Sequence, residues 1–277
     1  MTDDPLVSVI IPTYNAAATL AQCLQALQLQ TYGRVEILIV DSYSTDDTVT
    51  IAKKFGAKVI STTCKLLGAR YQGFLESRGE LILLLDSDQV LEETALEKSV
   101  SLIQNGYDSM CLEEHSCQSD TWIQKLFEAD RTLIHKRAAI HVDPYDDVLL
   151  ARLYKRHILE SAFRTIPEVL LSFVVAYDHA ILYSEAYKIS KNVGIVPNAV
   201  LHIEPRGVIE LIRKNYRYGK SAGELAASGY YKDLLARKAR FRKGALQEWN
   251  LGIQSSLLLS LKGVGFYTGY IVQKMRR

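Results

Sequence analysis

Short apolar runs closed by polar clusters alternate with helix-spaced segments over the first hundred residues of this 277-residue chain. Val7-Ser8-Val9-Ile10-Ile11 reads as a buried strand stopped by Pro12-Thr13-Tyr14-Asn15. Apolar positions from 16 to 29 then recur at helical spacing, with Asn15 placed to cap that helix. Residues 35–41 form a second strand ending in Asp41, and the cluster Ser44-Thr45-Asp46-Asp47-Thr48 opens a helix running to about Phe55. Val59-Ile60 is a short strand, and residues 65–77 a helix carrying Arg70 and Gly73. A further run, 80–85, is almost wholly apolar, as in a strand covered on both faces. This alternation predicts an α/β fold with a mostly parallel central sheet and helices on both faces.

The chemistry concentrates where that last run ends, at Asp86-Ser87-Asp88. Residues i and i+2 of an extended chain point the same way, so continued strand geometry would converge both carboxylates on one point. Two adjacent anions repel unless a cation lies between them, and hard oxygen donors suit Mg²⁺ or Mn²⁺. The position matters as well, because open α/β sheets bind ligands beyond the carboxyl ends of their strands.

Composition adds an asymmetry. Residues 1–205 hold 18 Lys and Arg against 27 Asp and Glu, whereas residues 206–277 hold 15 against 4. The acidic front part is unsuited to nucleic-acid backbones. The basic tail interleaves Arg213, Lys214, Arg217, Arg237, Lys238, Arg240, Arg242 and Lys243 with Ile209, Tyr216, Phe241 and Trp249. Its most apolar part, 251–272, is broken by Ser, Gln and Lys and falls short of a span. A basic, aromatic helix pair lying on an anionic membrane surface is expected instead. The acidic opening Met1-Thr2-Asp3-Asp4 does not resemble a secretory signal, and four cysteines without framework spacing fit reduced thiols. The expected location is therefore the cytoplasm, peripheral on the inner membrane face. Cys111, His115 and Cys117 lack the second ligand pair of a zinc site.

Taken together, V-S-V-I-I-P-T-Y-N (7–15), I-V-D-S-Y-S-T-D-D-T (39–48), G-A-R-Y-Q-G-F-L-E-S-R-G-E-L (68–81) and L-L-D-S-D (84–88) resemble the family-2 glycosyltransferases of the GT-A fold. V-P-N-A-V-L-H (196–202) is similar to the late strand of that family, which ends in a histidine. The resemblance implies an inverting, metal-dependent transferase that moves a sugar from a UDP- or GDP-sugar to a lipid-linked, polyprenyl phosphate or glycan acceptor. It implies a nucleotide-sugar-binding half over 1–105, an acceptor and catalytic half over 106–205, and a basic helical tail over 206–277. By the same likeness Pro12, Tyr14, Asp41, Arg70, Asp86 and Ser87 would line the nucleotide, with Arg70 beside the base and Asp41. Asp88, Asp86 and His202 would hold Mn²⁺ or Mg²⁺, and Asp178 would be the general base. The family's usual glutamate before that aspartate is here Tyr177, and Tyr43 replaces a glycine. His179 is a weaker candidate base.

Two other functions stay open at this stage. A sugar-phosphate nucleotidyltransferase would want a Gly-rich phosphate loop after the first strand, where this chain has Pro12-Thr13-Tyr14-Asn15. A non-catalytic nucleotide-sugar-binding module is kept in play by Tyr177. Between 106 and 150 the pattern gives a strand near 108–112 and a helix over 122–134. Glu113, Glu114 and Trp122 are candidate acceptor contacts, and the acidic turn 141–147 a candidate lid or acceptor loop.

Overall fold

The structure, a computed structural model, describes residues 4–138, 142–145, 150–238 and 249–276. Part of the candidate lid, 141 and 146–147, and the tail residues Arg240, Phe241, Arg242 and Lys243 lie outside the described residues. In chain order the elements are β1 (Val7–Thr13), α1 (Ala17–Gln28), β2 (Val35–Asp41), α2 (Thr48–Lys54), β3 (Lys58–Ser61), α3 (Leu66–Glu76), β4 (Leu81–Leu84) and β5 (Gln89–Leu91). There follow α4 (Ala95–Gln104), β6 (Ser109–Ser116), α5 (Trp122–Ala138), β7 (Ala151–Lys155), α6 (Arg156–Thr165), α7 (Glu168–Leu171) and α8 (Asp178–Ile189). The chain continues through β8 (Val193–His202), α9 (Val208–Ser228), α10 (Lys232–Lys238) and α11 (Trp249–Met275).

All eight strands form one sheet in the order β3-β2-β1-β4-β7-β6-β8-β5. The first four in that order are mutually parallel. β7 then runs antiparallel to both β4 and β6, and β8 is parallel to β6. Alternation along the central strands supplies two cores. Val9, Ile11 and Leu83 meet Leu20, Leu24, Leu96 and Val100 from α1 and α4 on one face. Ile10, Ile82 and Leu84 meet Leu67, Phe74, Leu159, Phe163 and Ile181 from α3, α6 and α8 on the other. Every residue of β1 is buried, which explains why its apolar run is nearly unbroken.

A third cluster of Ile123, Leu126, Phe127, Leu211 and Leu258 joins α5 to α9 and α11. Helices α9 and α11 run in the same direction and touch backbone to backbone. A Cβ on Gly219 would lie 1.9 Å from the Phe266 carbonyl oxygen, and one on Gly269 would lie 2.1 Å from that of Tyr216. Only glycine allows so close an approach.

One local expectation is overturned. Asn15 does not cap α1: it takes a left-handed conformation (φ 51°), and its Oδ1 accepts from Thr45 N at 2.8 Å. The orphan amides at the start of α1 are satisfied across the loop, Ala16 N by Thr48 Oγ1 at 2.7 Å and Ala17 N by Asp46 Oδ2 at 3.1 Å. The loops after β1 and β2 are thereby tied together beside Asp41.

Candidate active site

Strand geometry stops before the two acids. β4 ends at Leu84, and a turn over 86–89 is closed by Gln89 N donating to Asp86 O at 3.1 Å. The side chain of Gln89 folds back to accept from Asp86 N at 2.9 Å. Asp86 and Asp88 therefore do not share a strand face, and each carboxylate takes its own cations, although both line one cleft.

Asp86 belongs to a partly buried ionic lattice. Its Oδ1 accepts from Arg70 Nη2 at 2.5 Å and its Oδ2 from Arg152 Nη1 at 2.8 Å. Arg70, fully buried, also donates through Nε to Asp178 Oδ2 at 2.6 Å, and so fixes Asp178 relative to Asp86. This corrects the expected placing of Arg70, whose guanidinium engages Asp86 and Asp178 rather than Asp41. Arg152 Nη2 donates to Glu114 Oε1 at 2.9 Å, and Arg131 joins Glu114 (2.6 Å) to Glu204 (2.7 Å). Burial works against ionised Asp86, but Arg70 and Arg152 outweigh it and hold the carboxyl well below the usual range. Glu114 is likewise opposed by burial and drawn down to about 2 by Arg152 and Arg131. His179 contacts Arg152 through Nε2. Burial, then Arg152 and Arg70, lower its pKa to about 4, so the ring is neutral at pH 7 and its 3.6 Å approach to Asp86 is no ion pair.

Asp88 lies on the other side of the turn. Lys214 Nζ, from α9, donates to its Oδ2 at 3.0 Å. His202 Nε2, at the end of β8, stands 3.6 Å from its Oδ1. Burial opposes the charge on Asp88, yet His202 and Lys214 lower its pKa. The backbone fixes this pairing, since Gln89 and His202 are register partners and Ile203 N donates to Asp88 O at 2.8 Å. The donor chemistry fits a hard divalent ion between Asp88 and His202: carboxylate oxygen and imidazole nitrogen face each other beyond hydrogen-bonding distance. Such ions complete their shells with water and substrate phosphates. Each oxygen of Asp86 already accepts from a guanidinium, whereas Asp88 Oδ1 faces only the His202 ring, which makes Asp88 and His202 the more open pair. No group of three His, Cys, Asp or Glu able to hold a metal occurs among the described residues.

Asp41 ends β2, buried, some distance along the rim. Oδ1 accepts from Thr13 Oγ1 (2.9 Å) and Ser44 Oγ (2.6 Å), and Oδ2 from Ser44 N (2.8 Å). The second lone pair of Oδ2 is left for a ligand N–H. Tyr14 and Tyr43 flank it on the tied loops, 58% and 61% exposed, so both ring faces can receive a flat base. Pro12 and Ser87 line the cleft that also holds Arg70, Asp86 and Asp88.

Asp178 opens α8, buried, just after Tyr177 in a left-handed conformation (φ 66°). The preceding loop is buttressed from α9, where Ser221 Oγ accepts from Val175 N at 2.8 Å and Ala176 N at 3.1 Å. A cleft of about 2160 Å³ runs from Asp86, Asp88 and Asp178 to the inner faces of α9 and α11. Glu113 lies apart, accepting from Asn198 N at 2.7 Å, and Trp122 is 54% exposed at the start of α5.

Arg152, Arg131, Glu204 and Lys214 escaped the sequence reading. Arg152 left a signal: it is a lone cation inside Ala151-Arg152-Leu153-Tyr154, whose neighbours are buried. Lys214 left none, because it lies in a basic run where Arg213 is exposed and only its own side chain turns inward.

Comparison with known proteins accords with this geometry. Residues 8–163 match the profile described as Glycosyl transferase family 2. The chain is 36% identical over 108 residues to glycosyltransferase AglE of Haloferax volcanii, covering 36% of each chain. It is 27% identical over 177 residues to the undecaprenyl-phosphate 4-deoxy-4-formamido-L-arabinose transferase of Aeromonas hydrophila, covering 58% of this chain and 52% of that one. The matches thus span about a third to a half of the length of these curated relatives. Among solved structures, the mannosyltransferase PcManGT of Pyrobaculum calidifontis, in complex with GDP-Man and Mn²⁺, superposes with a TM-score of 0.57 at 18% identity. That match covers 99% of this chain and 80% of the other, and the shared architecture is the GT-A fold.

Proposed function

The chain belongs to glycosyl transferase family 2, and from that premise we propose that it is an inverting, divalent-metal-dependent transferase. It moves a sugar from a UDP- or GDP-sugar to a lipid-linked, polyprenyl phosphate or glycan acceptor. The observation that carries this reading is the spacing enforced by Arg70, which holds Asp178 and Asp86 at one end of the cleft with Asp88 and His202 beside them. Asp41, Tyr14 and Tyr43 receive the base, while Pro12 and Ser87 line the path to the diphosphate. Asp178 accepts the proton of the acceptor hydroxyl as its oxygen attacks the anomeric carbon opposite the leaving diphosphate, and this displacement inverts the configuration. Mn²⁺ or Mg²⁺ held by Asp88 and His202 would neutralise charge on the leaving group. The polyprenyl-linked substrate in the Aeromonas relative's name and the Mn²⁺ in the Pyrobaculum complex support the acceptor class and the ion.

The test is a thermal-shift screen of UDP-, GDP- and dTDP-sugars with and without Mn²⁺, followed by donor turnover in Asp178→Asn. Turnover should fall by about 10²–10⁴-fold with donor affinity kept. Donor binding without any turnover difference would favour a binding module.

Contact with an anionic membrane is part of the proposal. Ile253, Leu257, Val264, Tyr267, Ile271 and Met275 share one face of α11 and are 46–79% exposed. This stripe is about 33 Å long at 1.5 Å per residue. Exposed Arg213 and Arg217 lie alongside it on α9. No helix among the described residues is long and apolar enough to cross a membrane. Vesicle flotation checks the contact: Leu257→Glu/Ile271→Glu should release the chain from anionic vesicles, and unchanged flotation would exclude this face.

A further inference from the structure

Three of the cations around the carboxylate site are locked. Arg70 spans Asp86 and Asp178, Arg152 spans Asp86 and Glu114, and Arg131 spans Glu114 and Glu204. Each is a planar fork between two acids, a geometry that cannot move without stranding a buried charge. Lys214 differs. It holds one oxygen of one carboxylate, at 3.0 Å, through a flexible stem with its side chain 28% exposed to the cleft. It also comes from α9, outside the stretch that matches the family profile.

We propose that Lys214 is a phosphate-binding residue that occupies Asp88 in the ligand-free protein and passes to the donor's diphosphate when the divalent ion takes Asp88. The proposal rests on the nucleotide-sugar reading above and adds to it a residue and an order of events. Its basis is charge. An ammonium on Asp88 Oδ2 and an ion at Oδ1 would be neighbours on one carboxylate. Like charges that close repel appreciably even at the effective dielectric of a protein site, and a divalent ion doubles the repulsion of a monovalent one. The ion alone is therefore bound weakly while the lysine stays. A diphosphate brings anionic oxygens beside both cations, so the lysine gains a new partner as it leaves the old one. Lys, a point charge with three donors, suits such an exchange where a forked Arg would not. Asn215 and Tyr218 line the same wall without adding a charge at neutral pH, and Glu204, a further carboxylate acting on the ammonium, is itself held by Arg131.

The experiment uses the full chain and Lys214→Met. Mn²⁺ affinity without nucleotide is read from the free-ion EPR signal, and UDP and GDP affinity in EDTA by calorimetry. Lys214→Met should bind Mn²⁺ at least about tenfold more tightly and lose at least about tenfold in nucleotide affinity without metal. Lys214→Arg, the variant to rely on if the methionine chain is poorly folded, keeps the charge and should leave Mn²⁺ weakly bound. Unchanged or weaker Mn²⁺ binding in Lys214→Met overturns the proposal, as does unchanged nucleotide affinity in EDTA, or Mn²⁺ binding in Lys214→Arg tightened as far as the neutral variant is expected to show. A wild-type chain that binds neither nucleotide refutes the donor assignment and the phosphate step together. Nucleotide binding that ignores Lys214 refutes this proposal alone.

Discussion

Replacing Arg152 by Met removes one guanidinium from the lattice while keeping most of its length, and the structure fixes how large and how pH-dependent the cost is. Asp86 retains Arg70, and Glu114 retains Arg131 together with Gln89 Nε2 at 2.9 Å. Breaking a buried ion pair costs about 3–5 kcal/mol, and the surviving partners put this case near 3. Arg152 is also the larger of the two guanidinium attractions that draw Glu114 down to about 2 against burial, so its loss is felt at both carboxylates. For a chain of this size about 3 kcal/mol is a melting-point drop of about 6–12 °C.

The sign with pH follows from the same groups. Glu114 and Asp86 are depressed, so their contribution is full above the ordinary carboxylate value and disappears as pH falls through the native one. His179 is depressed too, from 6.5 to about 4, so the native state loses stability as pH falls through that window. Arg152 is one cause of that depression, and without it the loss on acidification is smaller. Both effects narrow the gap between wild type and Arg152→Met at low pH. Urea unfolding at about pH 7.5, 5.5 and 4 measures it. A gap that is absent at pH 7.5, or constant across the series, refutes the electrostatic account of the lattice.

Two further outcomes are expected. Gly219→Ala gains about 1 kcal/mol of helix propensity yet puts a methyl 1.9 Å from a carbonyl oxygen of α11, so α9 and α11 must part and the melting point must fall; a raised melting point would show the contact to be loose. Asp41→Asn keeps the shape of the rim but loses the anionic acceptor, and calorimetry should show about 10–100-fold weaker binding of the preferred nucleoside diphosphate, with equal affinity removing Asp41 from base recognition.

What the sequence made legible was local. β1, β2 and β4 were readable because buried strands are apolar on both faces, and their ends place Asp41, Asp86 and Asp88 at one rim. Asp178 and His202 followed from motif order. The partners of these acids were not readable, because Glu114, Arg131, Arg152 and Glu204 meet only after β7 inserts between β4 and β6, antiparallel to both. The period-two argument for Asp86 and Asp88 failed for a nearer reason: the Gln89 side chain captures Asp86 N and turns the chain. Asn15 failed as a cap because the neighbouring loop offered Asp46 and Thr48 to the same amides.

The basic tail, set apart in the sequence by its charge, is tied to the site by α9. Different faces of that helix serve different ends, Arg213 and Arg217 turning outward, Lys214 onto Asp88, and Ser221 onto the loop that presents Asp178. The glycine contacts lock α11 to the same helix, so its apolar stripe has a fixed relation to Asp88 and Asp178. A membrane bound at that stripe would meet a rigid support rather than a tether. Tyr267 and Ile271 belong both to the exposed face and to the wall of the cleft. An apolar-tailed acceptor held in the bilayer would then lie beside the cleft while its polar end reached Asp178. On the proposed membrane contact, a lipid-linked acceptor would account for the charge and the apolar face of the tail together, which a soluble glycan acceptor would not.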